Sequence, residues 1–585
     1  MAGRANLRRI GGESEADKEA LAAEGRIVQQ IDNLQRIAQQ QRRDQLGDEW
    51  FRQIRESYNL FPKETETPIF RPTMRIPEAQ ILGFMEAIDL TDIDPRIYIC
   101  KTFATYDQDE NAEACLQAQW RDSNVSLNIL YALMWAWYAG CGFIQVGFDE
   151  QLRNGRGDVT AMWRDPQTVY PDPYSIDDKK WQYVILEDHL WLDTIKQYWP
   201  IAAHRVTLNR SPEPLPMGSM GRNSAFGLEV PTGPMQGMIP GLPVSSTPGD
   251  ARVRVRTLFL RDNTRVRVDR GNKSERERMQ LSGMAKPEYK MKYPDGRMIV
   301  EANGVIPADS VNPYWHGEFP IIRFLGMPAL HGFWAPPPFR YTKALQDMAE
   351  RFTTQDFENM VRLLNGVWFI DESTGIDTER FGGVPGETQM IAQGSPVPTL
   401  VQPKGSGEGI QNGELLLAKQ RMLQGFGDPR MGLNPQGNVS NDLFPGSLMQ
   451  GQTLTRGRAR LMYEPIRRLA YLIFSTMAQF IRDERLYADP RADGFGTIHW
   501  EPVPPDRVKQ YEAHVDQASL QPFSGVMIRQ LALALKNMGA LDTEGLLEAV
   551  RYPNRKKVLD RLNKEAQAQM TMQAQMQELK NQKKK

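Results

Sequence analysis

The chain has 585 residues, of which 41% are hydrophobic and 24% are charged, and this composition excludes a disordered or fibrous protein. Its length exceeds one hydrophobic core, so roughly two to four domains or subdomains are expected. Lysine and arginine number 71 and aspartate and glutamate 72, and this balance excludes a strong attraction of the whole molecule for polyanions.

The cysteine content predicts a protein of a reducing compartment. Three cysteines, Cys100, Cys115 and Cys141, are too few for a disulfide framework and too far apart for a zinc knuckle. The N-terminus has no apolar signal-peptide core, so no secretion is expected.

Residues 13–60 carry apolar residues at helical spacing and predict one or two amphipathic helices.

A short strand is predicted over 93–100 and a helix over 107–121. Acidic residues crowd the start of this helix, where they suit the positive end of its dipole. Metal binding is the alternative for them and for three earlier aspartates, although neither set has the turn glycine or terminal glutamate of a calcium loop. The two sets are Asp107, Asp109, Glu110 and Glu113, and Asp89, Asp92 and Asp94.

The stretch 123–173 predicts a helix, a hairpin and a turn. Ser123 or Asn124 is placed to cap the helix, and Gly140 and Gly142 end its apolar period. Two strands then flank a polar turn, and the prolines that follow are expected to prevent a regular ladder. The first half of the stretch carries no charged residue, so a membrane span is the alternative to a buried helix followed by a strand.

Residues 211–250 are rich in proline, glycine, methionine and serine, which indicates a flexible insertion. Past it, 253–259 alternates as a strand, and 289–300 has the pattern of a hairpin about Pro294-Asp295-Gly296. Arginines fall mostly on one face of these strands. They are expected to contact phosphate or, as outward residues, to be solvated or to pair with acids of a neighbouring subunit. These arginines are Arg252, Arg254, Arg256, Arg261, Arg265, Arg267 and Arg270.

Two strong helices are predicted at 341–365 and 411–423, and they bracket a glycine- and proline-rich excursion. Residues 425–451 form a polar loop, and a loop of this length is usually functional or disordered. A helix over 454–486, kinked at Pro465, follows. After a β piece, the C-terminal part is expected to be mostly helical.

The motifs of common enzymes are missing from the sequence. No Gly-Lys pair occurs, so the chain has no phosphate loop of an ATPase. The glycine-rich residues 404–409 predict a flexible connection. A dinucleotide-binding loop is the alternative, but the run lacks the companion residues and the βαβ unit of such a site. No two histidines have the spacing of a zinc hydrolase, and no nucleophile elbow is present. The sequence therefore predicts no enzyme and no catalytic, cofactor-binding or metal-binding residues, and it favours a structural or interaction protein.

Several segments together carry a likeness to a known family. They are Gly140-Cys141-Gly142-Phe143, the hairpin through 149–157, Trp163-Arg164-Asp165-Pro166, Val169-Tyr170-Pro171-Asp172-Pro173, and Asn312-Pro313-Tyr314 with Phe319-Pro320. With this order of elements, the chain resembles tailed-bacteriophage portal proteins over roughly residues 75–562. The resemblance implies an α+β, mainly helical portal fold with wing, stem, clip and crown regions, whose subunits assemble as a ring.

The portal regions are placed by their order along the chain. They are an N-terminal helical segment at 1–60, the wing at 61–340 with the insertion 211–250, the first stem helix at 341–366, the clip at 367–408, the second stem helix at 409–427, a tunnel loop at 428–450, the long wing helix and β piece at 451–504, and a crown with a helical tail at 505–585.

The resemblance implies a channel at one capsid vertex of the virion that packages, retains and ejects DNA, assembled in the host cytoplasm. The chain is expected to assemble with copies of itself into a ring of usually about twelve subunits. The other implied partners are double-stranded DNA, the terminase large subunit, the major capsid and scaffolding proteins, and tail adaptor proteins. No membrane is expected among the partners. A nuclease or ATPase of the packaging machinery is the alternative. A membrane-associated assembly factor is a third possibility.

Two groups of residues are the candidate functional sites. A channel that lets DNA slide cannot hold it by many phosphate contacts, so a polar, mobile tunnel loop is expected to face the DNA. Its candidate residues are Asn434, Gln436, Asn438, Asn441 and Gln450. Three arginines, Arg456, Arg458 and Arg460, are expected to bridge subunits or, as the alternative, to bind phosphate.

Overall fold

The computed structural model describes residues 15–47, 50, 95–102, 105–206, 252–268, 288–329, 332–364, 367–374, 393–401, 408–424, 453–488, 497–504, 508, 511–515, 525–550, 558–559, 561–562 and 564. Helices and strands are mixed, with 50% helix and 24% strand, in keeping with the predicted α+β class. Within these ranges, no helix is both long and apolar enough to cross a membrane. The insertion 211–250 lies outside them.

The chain divides into two compact units, one formed by 1–48, 84–337 and 456–585 and the other by 49–83 and 338–455. The elements in chain order are α1 (Glu15–Leu46), β1 (Pro95–Thr102), β2 (Thr105–Gln108), α2 (Glu110–Asp122), α3 (Val125–Ala139), β3 (Cys141–Asp149), the single turn α4 (Leu152–Gly155), β4 (Asp158–Arg164), β5 (Val169–Pro171), β6 (Tyr183–Trp191), α5 (Leu192–Tyr198), the single turn α6 (Pro200–Ala203), β7 (Arg252–Leu260), β8 (Arg265–Val268), β9 (Glu288–Met291), β10 (Arg297–Ala302), β11 (Val305–Val311), β12 (Ile321–Leu325), α7 (Arg340–Leu364), β13 (Val367–Phe369), β14 (Thr399–Val401), α8 (Glu408–Gln424), α9 (Thr453–Phe480), β15 (Arg485–Ala488), β16 (Thr497–Trp500), β17 (Tyr511–Val515), α10 (Gly525–Asn537) and α11 (Thr543–Val550). The second unit contains α7, β13, β14 and α8, and the other elements lie in the first unit apart from the start of α9.

An antiparallel sheet of strand order β11-β10-β7-β6-β5 forms part of the first unit. Because side chains alternate along a strand, the neighbouring residues Ile299 and Val300 of β10 enter different cores. One core contains Ile31 of α1, and the other contains Ile195 of α5 and Ala203 of α6. Helices therefore cover both faces of this sheet.

Arg256 of β7 joins α1 to the five-stranded sheet through a buried network. Its Nε donates to Glu301 at 2.6 Å, and its Nη1 donates to Asp32 at 2.6 Å and to Gln35 at 2.7 Å. Gln35 donates in turn to Glu187 at 2.8 Å. Arg256 is 2% exposed and Glu301 1% exposed, so the outward position predicted for this arginine is wrong.

A second sheet, of order β12-β3-β4, packs against α3, and the chain reverses between α3 and β3 at two glycines. Gly140 ends the helix with φ +82°, and a Cβ on it would lie 1.9 Å from the carbonyl oxygen of Ala335. A Cβ on Gly142 would lie 1.7 Å from the carbonyl oxygen of Ala132. These close approaches confirm the predicted helix end and explain why both positions require glycine.

Asn124 occupies the N-cap position of α3, as predicted, but no side chain caps the helix there. Asn124 takes φ +49° and makes no side-chain capping hydrogen bond, and the hydroxyl of Ser123 donates to the carbonyl oxygen of Val159 at 2.9 Å. These two residues form a tight turn between α2 and α3. The capping interpretation of the acidic cluster does hold at Asp109, whose Oδ1 accepts from the backbone N–H of Ala112 at 3.1 Å.

The C-terminal half of α9 is buried on most sides by aromatic residues from distant parts of the first unit. Phe474 packs against Trp500 of β16, with ring centroids 6.0 Å apart, and against Tyr511 of β17 at 4.8 Å. Phe480 stacks on Phe148 of β3 at 4.8 Å. One helix thus holds together strands that lie far apart in the sequence.

Polar residues attach the same helix to the segment before β12. Arg468 is 7% exposed and pairs with Asp178 and with Glu318, the latter at 2.8 Å. His316 lies beside this pair, where its Nδ1 accepts from the backbone N–H of Glu318 at 3.0 Å and its ring stacks on Tyr314. Burial lowers the pKa of His316 to about 4. The negative charge of Glu318 opposes this shift but has a smaller effect, and the positive charge of Arg468 lowers the pKa further.

Long-range strand pairing corrects several predictions. The turn about residue 295 is present, but its flanking strands form no hairpin, because β9 pairs with β8 whereas β10 pairs with β7 and β11. Part of the C-terminal region is the strand β17, which pairs with β1. The helix predicted to residue 486 ends at Phe480, and β15 follows. Pro171 does join a ladder, opposite Val184, because β5 is an edge strand.

Removal of the buried carboxylate at Glu301 should destabilise the first unit. The substitution Glu301→Ala leaves the charge of Arg256 buried with only Asp32 as an acidic partner, and we expect a loss of about 3 kcal/mol. Denaturant unfolding measures this loss. The control is Asp193→Ala, which breaks the exposed pair with Lys196 and should cost about 0.5 kcal/mol or less. Equal losses in the two variants would contradict the role of the network.

Acid should destabilise the protein through His316. His316 takes up a proton near pH 6.5 in the unfolded chain and only near pH 4 in the folded chain. Its contribution to the free energy of unfolding is therefore fully present above pH 6.5 and falls by about 1.4 kcal/mol per pH unit between pH 6.5 and 4. The substitution His316→Asn keeps an acceptor for the N–H of Glu318 and removes the titration. The free energy of unfolding, measured between pH 6.5 and 5, should therefore depend less on pH in this variant than in the wild type, and an equal pH dependence in the two proteins would contradict the role of His316.

Candidate functional site

The structure describes only part of the residues predicted to handle DNA. The tunnel-loop candidates Asn434, Gln436, Asn438, Asn441 and Gln450 lie outside the described residues. The three arginines lie in the first turns of α9, and the side chain of Arg460 is exposed. The side chains of Arg456 and Arg458 lie outside the described residues.

The second unit contains a more informative surface, made by the packed helices α7 and α8, which we call the helix pair. Small and polar residues form its seam. On α7 the buried residues are Thr342, Gln346 and Ala349, and on α8 they are Gly413 and Gln420. A Cβ on Gly413 would lie only 3.4 Å from Thr353 Oγ1 and 3.6 Å from the carbonyl oxygen of Ala349, so the two helices approach closely.

A carboxylate of α7 caps the N-terminus of α8. Asp356 Oδ2 accepts from the backbone N–H of Ile410 at 2.6 Å, close to the start of the second helix. Gly409 makes room for it, since a Cβ there would lie 2.4 Å from Asp356 Oδ1. The negative charge also suits the positive end of the helix dipole. The relative position of the two helices is therefore set by a polar contact and a glycine.

Several large apolar side chains of the helix pair are exposed. Tyr341, Met348 and Phe352 of α7 are 62%, 53% and 37% exposed, and their spacing places them on one face of the helix. Leu415 and Leu423 of α8 are also exposed. In a surface helix of a protein that acts alone, such residues normally face the core. This pair has the opposite arrangement, with polar residues inside and a row of apolar residues outside.

The strand pair β13–β14 connects to the helix pair and has the same character. Phe369 is 63% exposed and Val397, just before β14, is 75% exposed. Within the described residues, β13 and β14 form a sheet of two strands, and an isolated strand pair of this kind is only marginally stable in water. The exposed apolar residues of this unit therefore favour a further surface that covers them.

Nucleophilic or metal chemistry finds little support in the described part of the chain. It has no group of three or more His, Cys, Asp and Glu side chains that could hold a metal ion. Burial, with a smaller contribution from Asp109, raises the pKa of the Cys115 thiol to about 12, and burial also raises the pKa of Cys141. Both thiols stay protonated near neutral pH and are poor nucleophiles.

Sequence reasoning found the two helices but missed the residues of their seam. Asp356, Gly409 and Gly413 were not recognised as a contact, although two glycines four residues apart on a predicted helix indicate a close helix–helix approach. The apolar spacing of 341–365 was recognised. Which side of the helix would be exposed depended on its neighbour, which the spacing does not show.

Loss of the Asp356 carboxylate should loosen the start of α8. The substitution Asp356→Ala leaves the N–H of Ile410 without this acceptor, and we expect a loss of about 1 kcal/mol and faster amide exchange over the first turns of the helix. Hydrogen exchange read by mass spectrometry measures this. Asp347→Ala removes only the surface pair with Lys343 and should leave that exchange unchanged. Unchanged exchange in both variants would contradict the cap.

Comparison with known proteins gives no family for the chain. No family model matches it, and no curated protein is significantly similar to it in sequence. Its function is therefore inferred from the order of its elements and from the surface of the helix pair.

Proposed function

We propose that this protein is a portal protein of a tailed bacteriophage. It assembles with about eleven further copies into a ring at one capsid vertex, and double-stranded DNA is packaged, retained and ejected through the central channel. It acts in the virion, after assembly in the host cytoplasm. In this proposal the protein is not an enzyme, because the terminase supplies the energy for packaging.

The observation that carries this proposal is the helix pair with its apolar residues outside. A monomer gains nothing from exposing Tyr341, Met348 and Phe352 in one row, whereas a ring buries such a row between neighbouring subunits. The connection of the two helices through a short strand pair, followed by the long helix α9, supports the stem, clip and wing-helix order. The support is thus a surface together with a sequence of elements.

The portal regions follow from this order. In the proposal α7 and α8 are the two stem helices, β13 and β14 belong to the clip, α9 is the long wing helix, and α10 and α11 belong to the crown. The wing corresponds to 61–340. The loop 428–450 faces DNA in the channel with weak, adaptable contacts, and the arginines at the start of α9 bridge subunits.

Other partners follow from the position in the capsid. The ring serves as the platform for the terminase large subunit during packaging and for tail adaptor proteins afterwards, and it is set into the shell by the major capsid and scaffolding proteins. DNA must slide through the channel, and a chain with 71 basic and 72 acidic residues avoids a strong overall attraction that would arrest it.

The purified protein should form rings with a central hole in negative-stain images, and a charge in the apolar row should disperse them. We expect Met348→Glu to weaken association by about 100-fold, because a buried contact between subunits is replaced by an unpaired carboxylate. Light scattering after size exclusion measures the mass. The control Met162→Glu places the same charge at a methionine of similar exposure, 46%, on β4 and should leave the rings intact.

Two results would contradict the proposal. A wild-type protein that stays monomeric over a wide range of concentration and salt would remove its basis. Rings that form equally well with Met348→Glu would separate assembly from the helix pair and leave the apolar row without its proposed role.

A further inference from the structure

The strands β8 and β9 pair only with each other and carry an excess of positive charge. We call these strands, with the residues 261–264 and 292 that flank them, the basic ribbon. It holds five basic and two acidic residues, namely Arg261, Arg265, Arg267, Lys290 and Lys292 against Asp262 and Glu288. The chain as a whole is balanced, with 71 basic and 72 acidic residues, so the excess is local.

The basic side chains of the ribbon are accessible. Arg265, Lys290 and Lys292 are exposed. The apolar residues between them are exposed too, with Val266 at 47% and Met291 at 49%. Neither of these apolar side chains is buried in a core, and the charges nearby do not serve as the solvated face of a packed sheet.

The nearby acid of the ribbon is already occupied. Asp262 accepts from the backbone N–H of Thr264 at 2.9 Å and pairs with Arg297 at 3.3 Å. Partial burial opposes its ionisation, but these partners outweigh burial and hold the pKa of Asp262 below its usual value. Among the residues that the structure describes, no carboxylate pairs with Arg265, Lys290 or Lys292. The ammonium of Lys292 also lies 5.0 Å from the ring centroid of Tyr293, and all three basic side chains are exposed to an external anion.

The contrast with β7 shows that the arginine-rich sequence contains two different groups. Arg256 is buried with Glu301, and the guanidinium of Arg252 lies over the ring of Trp191 at 4.7 Å. These arginines stabilise the five-stranded sheet. Arg265 of the ribbon, a few residues further on, is exposed instead.

We infer that the basic ribbon binds the phosphate backbone of a nucleic acid. Alternate residues of a strand, such as Lys290 and Lys292, are about 7 Å apart, a length over which one strand of a duplex carries about two phosphates along its axis. A two-stranded ribbon also matches the width of the major groove. Lys290 pairs with Val266 and Arg265 pairs with Met291, so Lys290 and Lys292 lie on one face of the ribbon and Arg265 lies on the other. The ribbon therefore presents positive charge on both faces, and each face can contact a phosphate backbone. The ribbon belongs to the first unit.

Anisotropy of a short labelled duplex DNA and of a labelled single-stranded RNA, titrated with the full-length protein at several salt concentrations, tests the inference. The variant Arg265→Ala/Lys290→Ala/Lys292→Ala should bind at least about tenfold more weakly at low salt. It should also reduce the slope of log K against log salt by about 2 to 3, since each phosphate contact contributes about 0.9. All three positions are exposed, so the fold should persist.

A matched variant separates local binding from net charge. Arg36→Ala/Arg482→Ala/Lys564→Ala removes the same charge from scattered exposed positions and should bind nearly as the wild type does. Tighter binding of DNA or of RNA supports the inference and identifies the ligand. Equal binding by both triple variants, or binding to anionic lipid vesicles without binding to either nucleic acid, overturns it. The measurement can be made on monomers or rings, so it stands apart from the test of the portal proposal.

Discussion

The burial of α9 is the constraint on which the first unit depends. Its C-terminal half packs against Phe148 of β3, Trp500 of β16 and Tyr511 of β17, which lie up to several hundred residues apart in the chain. Full burial of a side chain such as Phe474 contributes about 2 to 3 kcal/mol, so the helix is stable only once these strands have assembled around it. The polar contacts of Arg468 and His316 then fix its orientation, at the cost of sensitivity to acid.

The two units pack their helices in different ways. The first unit covers its five-stranded sheet with helices on both faces, and apolar cores lie between the sheet and these helices. The helix pair of the second unit uses small and polar residues between its helices, and its large apolar residues stay exposed. Such a unit gains stability when another surface covers it, because binding to the folded state alone shifts the folding equilibrium. Assembly into a ring would provide that surface, which links this packing to the proposed function.

Charge is distributed in the same selective way. Buried arginines such as Arg256 are neutralised by carboxylates within the chain, whereas Arg265 and Lys290 of the basic ribbon are exposed and have no carboxylate partner among the described residues. A protein with almost no net charge can therefore carry a local excess of positive charge. The functional meaning of an arginine in this chain depends on its neighbours in space.

The sequence by itself determined the elements whose signals are local. The helix predicted over 341–365 is Arg340–Leu364, and the glycine at position 140 ends its helix in the left-handed conformation that glycine favours. Only the tertiary structure decided that β10 pairs with β7 rather than with β9, that Arg256 is buried, and that the apolar side of α7 is the exposed one. Periodicity and turn residues act over a few positions along the chain. Strand partners, buried ion pairs and exposed faces depend on residues that meet only after the chain has folded.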